Sequence, residues 1–348
     1  MKAAIYYGQQ DIRVADWPEK SPGEKEVLIK VAYCAVCGTD VRIFFHGHKK
    51  VTPPAIIGHE ITGVVEKIGK GVDKKNFQVG DAVTVVTSVG CGKCALCRRG
   101  RYNLCLQTRA IGYYWPGGFA RYLIVPEEAV QQEAIIKLPD GVSLLQGSMI
   151  EPLSCVINGQ NYLEIKEGET VVIFGGGPIG LMHASLAKAK GATTIVIDPD
   201  FDRLVRFGQN FAGLILWNPG KINLKQEIWK MTSGLGADVV ITACPVKQAQ
   251  LDGLDILAPG GRLSLFGGLP RDDSLITIDA NLIHYKEISV FGAFASNRKD
   301  YLQAASLISS GKIPADRFIT RVFPLEEITR AISMVKKGEV LKAVIKLE

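Results

Sequence analysis

The sequence predicts an α/β chain of two lobes, a doubly wound parallel sheet and a β-rich, barrel-like lobe. Three observations predict it. Strand and helix patterns alternate from residue 169 onward, residues 1–90 hold only short β segments, and the tail mixes two helices with a final strand. The length of 348 residues agrees, because one domain takes roughly 100–200.

In the first lobe KAAIYY, EVLIKVAYCAV, ITGVVEKIG and DAVTVV read as strands, punctuated by SPGEK, VTPPAIIG and VGD. Residues 91–105 pack four cysteines into a loop, and GGFARYLIVPEEAVQQ returns to β character. TVVIFG is then a buried strand, PIGLMHASLAKAKGA a helix, TTIVID a strand and DFDRLVRFGQNFA a helix. ADVVITA, GGRLSLFGG and ISVFGA are later strands, with KQAQLDGLDILA a helix between two of them. That alternation implies a parallel sheet with helices on both faces. The tail, YLQAASLISSGK and LEEITRAISMVKKGEVLKAVIKL, ends in a strand that can rejoin the first lobe. The expected domains are 1–154 with 293–348, and 155–292. No internal repeat is visible.

Hydrophobic residues at 47% and charged residues at 22% are ordinary for a globular chain. The net charge of +6 comes from scattered Lys and Arg rather than a basic block. It argues against nucleic acid or an anionic membrane as partner. The N-terminus alternates like a strand and has no signal-peptide core. No apolar run reaches the ~20 residues of a membrane helix. A cytoplasmic location is expected. Thiols stay reduced there, so the eight cysteines point to metal before disulfide.

Gly175-Gly176-Gly177-Pro178-Ile179-Gly180 fits G-x-G-x-x-G. Alone the motif is weak, but a strand precedes it, a helix follows it, and Asp198 ends the next strand. This is a Rossmann dinucleotide site. Gly175 permits the tight turn, Gly177 lets a pyrophosphate approach the backbone, and Gly180 lets the helix pack against the strand. Pro178 and Ile179 open that helix, whose N-terminus faces the phosphates. The Asp198 carboxylate would bind the ribose hydroxyls and repel a 2′-phosphate, so NAD is expected over NADP. Arg203 tempers that expectation, since a nearby Arg can hold the phosphate. The competing role for Asp198 is a helix N-cap.

Cys91-x2-Cys94-x2-Cys97-x7-Cys105 is a strong signal. Four thiolates at this spacing surround a tetrahedral Zn²⁺ and leave no open position, so the site would be structural. Disulfides, a redox CxxC and an iron–sulfur cluster compete less well. Cys37 in Cys37-Gly38-Thr39-Asp40, His59-Glu60 after Gly58, and Glu151 before Pro152 are each unremarkable alone. Together they supply S, N and O ligands, a mix that suits a catalytic Zn²⁺. Cys34 and Cys37 also form a CxxC that can mimic a redox motif.

At this point the chain resembles the medium-chain, zinc-containing alcohol dehydrogenases. Gly58-His59-Glu60, Gly63, Gly69, Val72 and Gly80-Asp81 fall at that family's spacing, and the cysteine lobe and GGGPIG loop follow in order. Glu151-Pro152-Leu153 resembles the polyol branch, as in sorbitol, iditol, butanediol and threonine dehydrogenases. The resemblance implies a GroES-like catalytic domain and two Zn²⁺ per chain. It implies Cys37, His59 and Glu60 or Glu151 on the catalytic zinc, and Thr39 as the hydroxyl that takes the substrate proton. It also implies an active site between the lobes and a homotetramer or homodimer. In one departure, Arg42 stands where many relatives carry a relay histidine. Proton exit is then expected through His46, His48 or water.

The substrate is less legible. Phe44, Phe45, His46, His48, Tyr113, Tyr114, Trp115 and Arg298 lie in segments that border the substrate by resemblance. They suit a small polyol or sugar alcohol. Arg42, Lys49, Lys50 and Arg298 keep a phosphorylated sugar alcohol or a sugar acid open, against the ordinary reading of a solvated basic loop. An L-threonine-like substrate, a zinc-free reductase and a non-catalytic zinc-stabilised nucleotide-binding protein are the remaining alternatives.

Overall fold

The computed structural model describes residues 1–347. The chain divides into two compact units, residues 1–154 with those from 295 onward, and residues 155–294.

The first unit is built mainly on antiparallel strands, with Ile319–Pro324 and Lys342–Lys346 pairing in parallel. Asp11–Asp16, Lys2–Gly8 and Ala55–Ile56 form a three-stranded sheet. A seven-stranded sheet runs Ile135–Lys137, Ala82–Val85, Glu60–Ile68, Val27–Ala35, Lys342–Lys346, Ile319–Pro324, with Tyr122–Val125 also pairing Val27–Ala35. The final strand does rejoin this unit, pairing Val344 with Ala35 and Lys346 with Tyr33. Val27, Ile29, Val31, Val83, Val85, Val344 and Ile345 are all fully buried. The β texture hides one helix, Gly38–His46, between two strands. A second helix absent from the sequence reading, Ile150–Asn161, carries Glu151 in its first turn.

The second unit holds six parallel strands: Thr170–Phe174, Thr193–Ile197, Ile215–Trp217, Ala237–Thr242, Leu257–Leu265 and Ser289–Gly292. Numbered along the chain, their order in the sheet is 3-2-1-4-5-6, the doubly wound order. Strands covered on both faces read as continuous apolar runs, and Val172, Ile195, Ile197, Val240, Leu257 and Leu263 form one core cluster. No described helix is long and apolar enough to cross a membrane.

Candidate metal centres and nucleotide loop

The four cysteines of the loop converge. Sγ–Sγ separations are 3.5 Å for Cys94–Cys97, 3.8 Å for Cys94–Cys105 and 4.0 Å for Cys91–Cys97. Sulfurs about 2.3 Å from a tetrahedral zinc stand about 3.8 Å apart. All four are free thiols. The strands Ser88–Val89 and Arg109–Ala110 pair at the base of the loop. Backbone N–H groups point at sulfur, Cys91 N to Cys105 Sγ at 3.3 Å and Cys97 N to Cys94 Sγ at 3.4 Å. The N–H groups of Lys93 and Cys94 draw the Cys91 thiol down to about 6, while burial pushes Cys97 up to about 12.

Strand register assembles a second group. Ala35 pairs with Glu60, and Val344 pairs with Ala35. Cys37, His59 and Lys342, each within two residues of those pairs, therefore arrive at one end of the sheet. The ligand atoms of Cys37, His59 and Glu60 lie within 4.8 Å of one another. Cys37 is the N-cap of the helix Gly38–His46, and its N–H donates to Asp40 Oδ2 at 2.9 Å. Asp40 Oδ1 lies 3.6 Å from His59 Nδ1. Both atoms are buried without a hydrogen-bond partner. Burial alone would lower His59, but the Tyr113 phenol, Asp40 and Cys37 overcome it and hold its pKa well above the ordinary value. Asp40 and Cys37 thus make the surroundings of His59 favourable to positive charge.

The structure does not place Glu151 in that group of three. It sits near enough to act electrostatically on Tyr113 and Lys342. Glu60 is instead clamped. Buried Lys342 donates to both its oxygens and to Val36 O at 3.1 Å. Burial opposes the Lys342 charge, yet Glu60 and Cys37 keep its pKa raised. Thr39 lies on the first turn of the helix, and Arg42 Nη2 donates to its Oγ1 at 3.3 Å. Of the aromatics, Tyr113 reaches the group, its ring 5.7 Å from His59 and 5.4 Å from His48. Tyr114 packs on Trp115 and under Arg109 instead. Arg298 is occupied by Glu133.

Sequence reasoning missed Asp40 and Lys342. Asp40 is the third residue of the helix that Cys37 caps, and neither is a residue type of the usual capping-box signature. Lys342 had no local signal.

In the second unit Gly175 takes φ +107°, which only glycine adopts without strain. A Cβ on Gly180 would stand 1.7 Å from Gly175 O, whereas one on Gly177 would meet nothing within 4 Å. Gly177 is the N-cap of the helix Pro178–Ala189, with Pro178 opening it and Ile179 next. Asp198 is buried; its Oδ2 accepts from Gly176 N at 2.6 Å and Arg203 Nη2 at 2.8 Å, its Oδ1 from Asp200 N at 2.9 Å. The helix N-cap is Asp200, not Asp198.

These geometries meet a direct comparison. The model of the alcohol dehydrogenase GroES-like domain matches residues 23–140, and that of the zinc-binding dehydrogenase matches residues 178–310. A sorbitol dehydrogenase of Halalkalibacterium halodurans is 33% identical over 99% of each chain. This chain belongs to the zinc-binding alcohol dehydrogenase family. D-xylulose reductase A of Aspergillus niger is 33% identical over 92% of this chain and 89% of its own. A solved zinc-binding dehydrogenase of Sinorhizobium meliloti, bound to NADP, superposes with a TM-score of 0.90 at 31% identity, covering 99% of this chain and 98% of its own. As a member of the zinc-binding alcohol dehydrogenases, the chain is an oxidoreductase whose cofactors are zinc and a nicotinamide nucleotide. The residues fit both: four sulfurs at zinc spacing, a largely buried S/N/O group beside the orphaned Asp40 Oδ1 and His59 Nδ1, and a glycine turn open above Gly177.

Proposed function

We propose that this chain oxidises a secondary alcohol of a polyol or sugar alcohol to the ketone, with NAD as hydride acceptor. The convergence of Cys37, His59 and Glu60 carries the reading. Those three would hold a catalytic zinc, with Glu151 acting at longer range, and Cys91, Cys94, Cys97 and Cys105 would hold a structural one. When bound, zinc lowers the pKa of the alcohol and the nicotinamide accepts hydride. The relatives that act on sorbitol and D-xylulose support a polyol.

Thr39 would receive the proton. Arg42 already donates to its Oγ1, which fills one acceptor position and leaves the hydroxyl proton free to pass on. Arg42 does not titrate near neutral pH, so the exit runs to solvent, to His46 or to His48, the last with its Nδ1 accepting from Lys50 N. Asp198 favours NAD, because a 2′-phosphate would meet a carboxylate whose nearby Arg203 is already committed to it. The test is NADH formation with a polyol panel. Thr39→Val is expected to lower turnover by about 10²–10⁴, with NAD preferred over NADP. An undiminished rate in Thr39→Val, with deuterated substrate showing hydride transfer to be limiting, would refute the relay.

The chain would work in the cytoplasm as a homodimer or homotetramer. The strand Ser289–Gly292 is the last in its sheet, with Phe294 66% and Tyr285 79% exposed nearby. Unpaired edges beside apolar surface favour a partner strand. Sedimentation of Val290→Glu against the unaltered chain tests that edge.

A further inference from the structure

The segment that joins the helix Gly38–His46 to His59 is basic without an answer. Residues 41–59 contain Arg42, Lys49 and Lys50 and no Asp or Glu. None of the three pairs with a carboxylate among the described residues. A helix C-terminus attracts cations through its dipole, which accounts for Lys49 and Lys50, just past His46. It does not account for Arg42. That guanidinium turns back to Thr39 on the first turn, toward the positive end of the dipole. Arg42 is exposed, so its charge stays available at this end of the helix.

The cations act on a common point. His48 is lowered by partial burial and then by Arg42, Lys50 and Lys49 together. Its ring stands 5.4 Å from Tyr113, and Tyr113 stands 5.7 Å from His59. One half-buried tyrosine ring thus separates the candidate catalytic group from a cluster of uncompensated positive charge.

We propose that the alcohol oxidised here carries an anionic end group, a phosphate or a carboxylate, which sits against Arg42, His48, Lys49 and Lys50. The inference rests on the dehydrogenase reading above. An oxyanion would gain charge-assisted hydrogen bonds from these side chains. It would also be drawn to the site by their field. The end group is a spectator. Hydride passes from the carbinol carbon to the nicotinamide and the hydroxyl proton to Thr39, so no further reactant is needed.

The experiment compares kcat/KM for a neutral hexitol, its terminal phosphate and the matching aldonate, all with NAD. One anionic substrate is expected to exceed the hexitol by about 10–100-fold at low salt, from one or two charge-assisted contacts. The advantage should shrink at about 0.5 M NaCl, where exposed charges are screened. Which anion leads separates phosphate from carboxylate. In the double variant Lys49→Gln/Lys50→Gln the anion-to-hexitol ratio should fall at least about tenfold. Inorganic phosphate should compete with the hexitol in the unaltered enzyme and more weakly in the double variant. Oxidation of the hexitol as efficiently as of both anions, or a ratio unmoved in the double variant, overturns this inference and leaves the dehydrogenase standing. No NADH from any of the three overturns both.

Discussion

Two buried histidines divide the molecule's chemistry. His59 and His183 are both enclosed, and burial pushes each imidazole toward neutrality. Around His59 the company is negative or polarisable: Asp40, Cys37 and the Tyr113 phenol. Around His183 it is the Phe266 ring at 4.5 Å, the Gln160 amide at 3.3 Å from Nδ1, and the Lys190 charge. His59 is therefore held well above the ordinary value, and His183 is driven down to about 3. Burial does not make a cation site. Uncompensated negative partners do, and only the first histidine has them.

The strongest way to break that contrast is to remove each imidazole. His59→Ala should lose one zinc per chain and on the order of 10³-fold or more in activity, the scale of a lost Lewis acid. His183→Leu should keep both zincs. Metal content and NADH formation read both outcomes, and equal zinc loss in the two variants would erase the distinction.

Next in size is the clamp on Glu60. Lys342→Met strands a buried carboxylate, a loss of about 3–5 kcal/mol of stability. Adding Glu60→Gln should recover much of it. Urea unfolding measures both, and a double variant no more stable than the single would show that the pair contributes little.

A smaller effect is set by pH. Folded His183 titrates at about 3, and an unperturbed histidine at about 6.5. Between those values the unfolded chain binds a proton that the folded chain refuses. This contribution is whole above about pH 6.5 and drains away as pH falls toward about 3, on the order of a few kcal/mol in all. His183→Leu should flatten that acid limb. Smallest of all, Lys190→Met lifts the repulsion that assists burial, so the limb should become gentler without vanishing. Its slope is the quantity to compare, because Gln160 Oε1 also loses the Lys190 bond of 3.1 Å at every pH.

The contrast also sorts what could be read in the chain. Spacing carried the four-cysteine group and the glycine turn, because each is a short motif whose chemistry needs fixed intervals. Cys37, His59 and Glu60 or Glu151 came from the family resemblance, which left the choice of glutamate open. The helix Gly38–His46 escaped because it lies between β segments and is capped by Cys37, whereas Ser, Thr, Asp and Asn are the usual signals. Lys342 escaped because a lysine in the apolar run LKAVIKL reads as a solvent-facing strand position. Its burial depends on a strand pairing made at long range. The direction of Arg42 toward Thr39 is likewise a rotamer, which no spacing encodes.

That long-range pairing has a consequence for synthesis. Lys342 follows Glu60 by 282 residues, so at about 5–20 residues per second a ribosome needs about 15–60 s to supply it. The four lobe cysteines span only 14 residues from Cys91 to Cys105 and emerge within about 1–3 s of one another. The thiolate lobe can thus close on zinc while the chain is still being made. Glu60 waits without its counter-ion until the whole second unit has been translated. In a growing chain the structural ion can therefore be loaded first, and the sheet end that gathers Cys37, His59 and Glu60 is finished last.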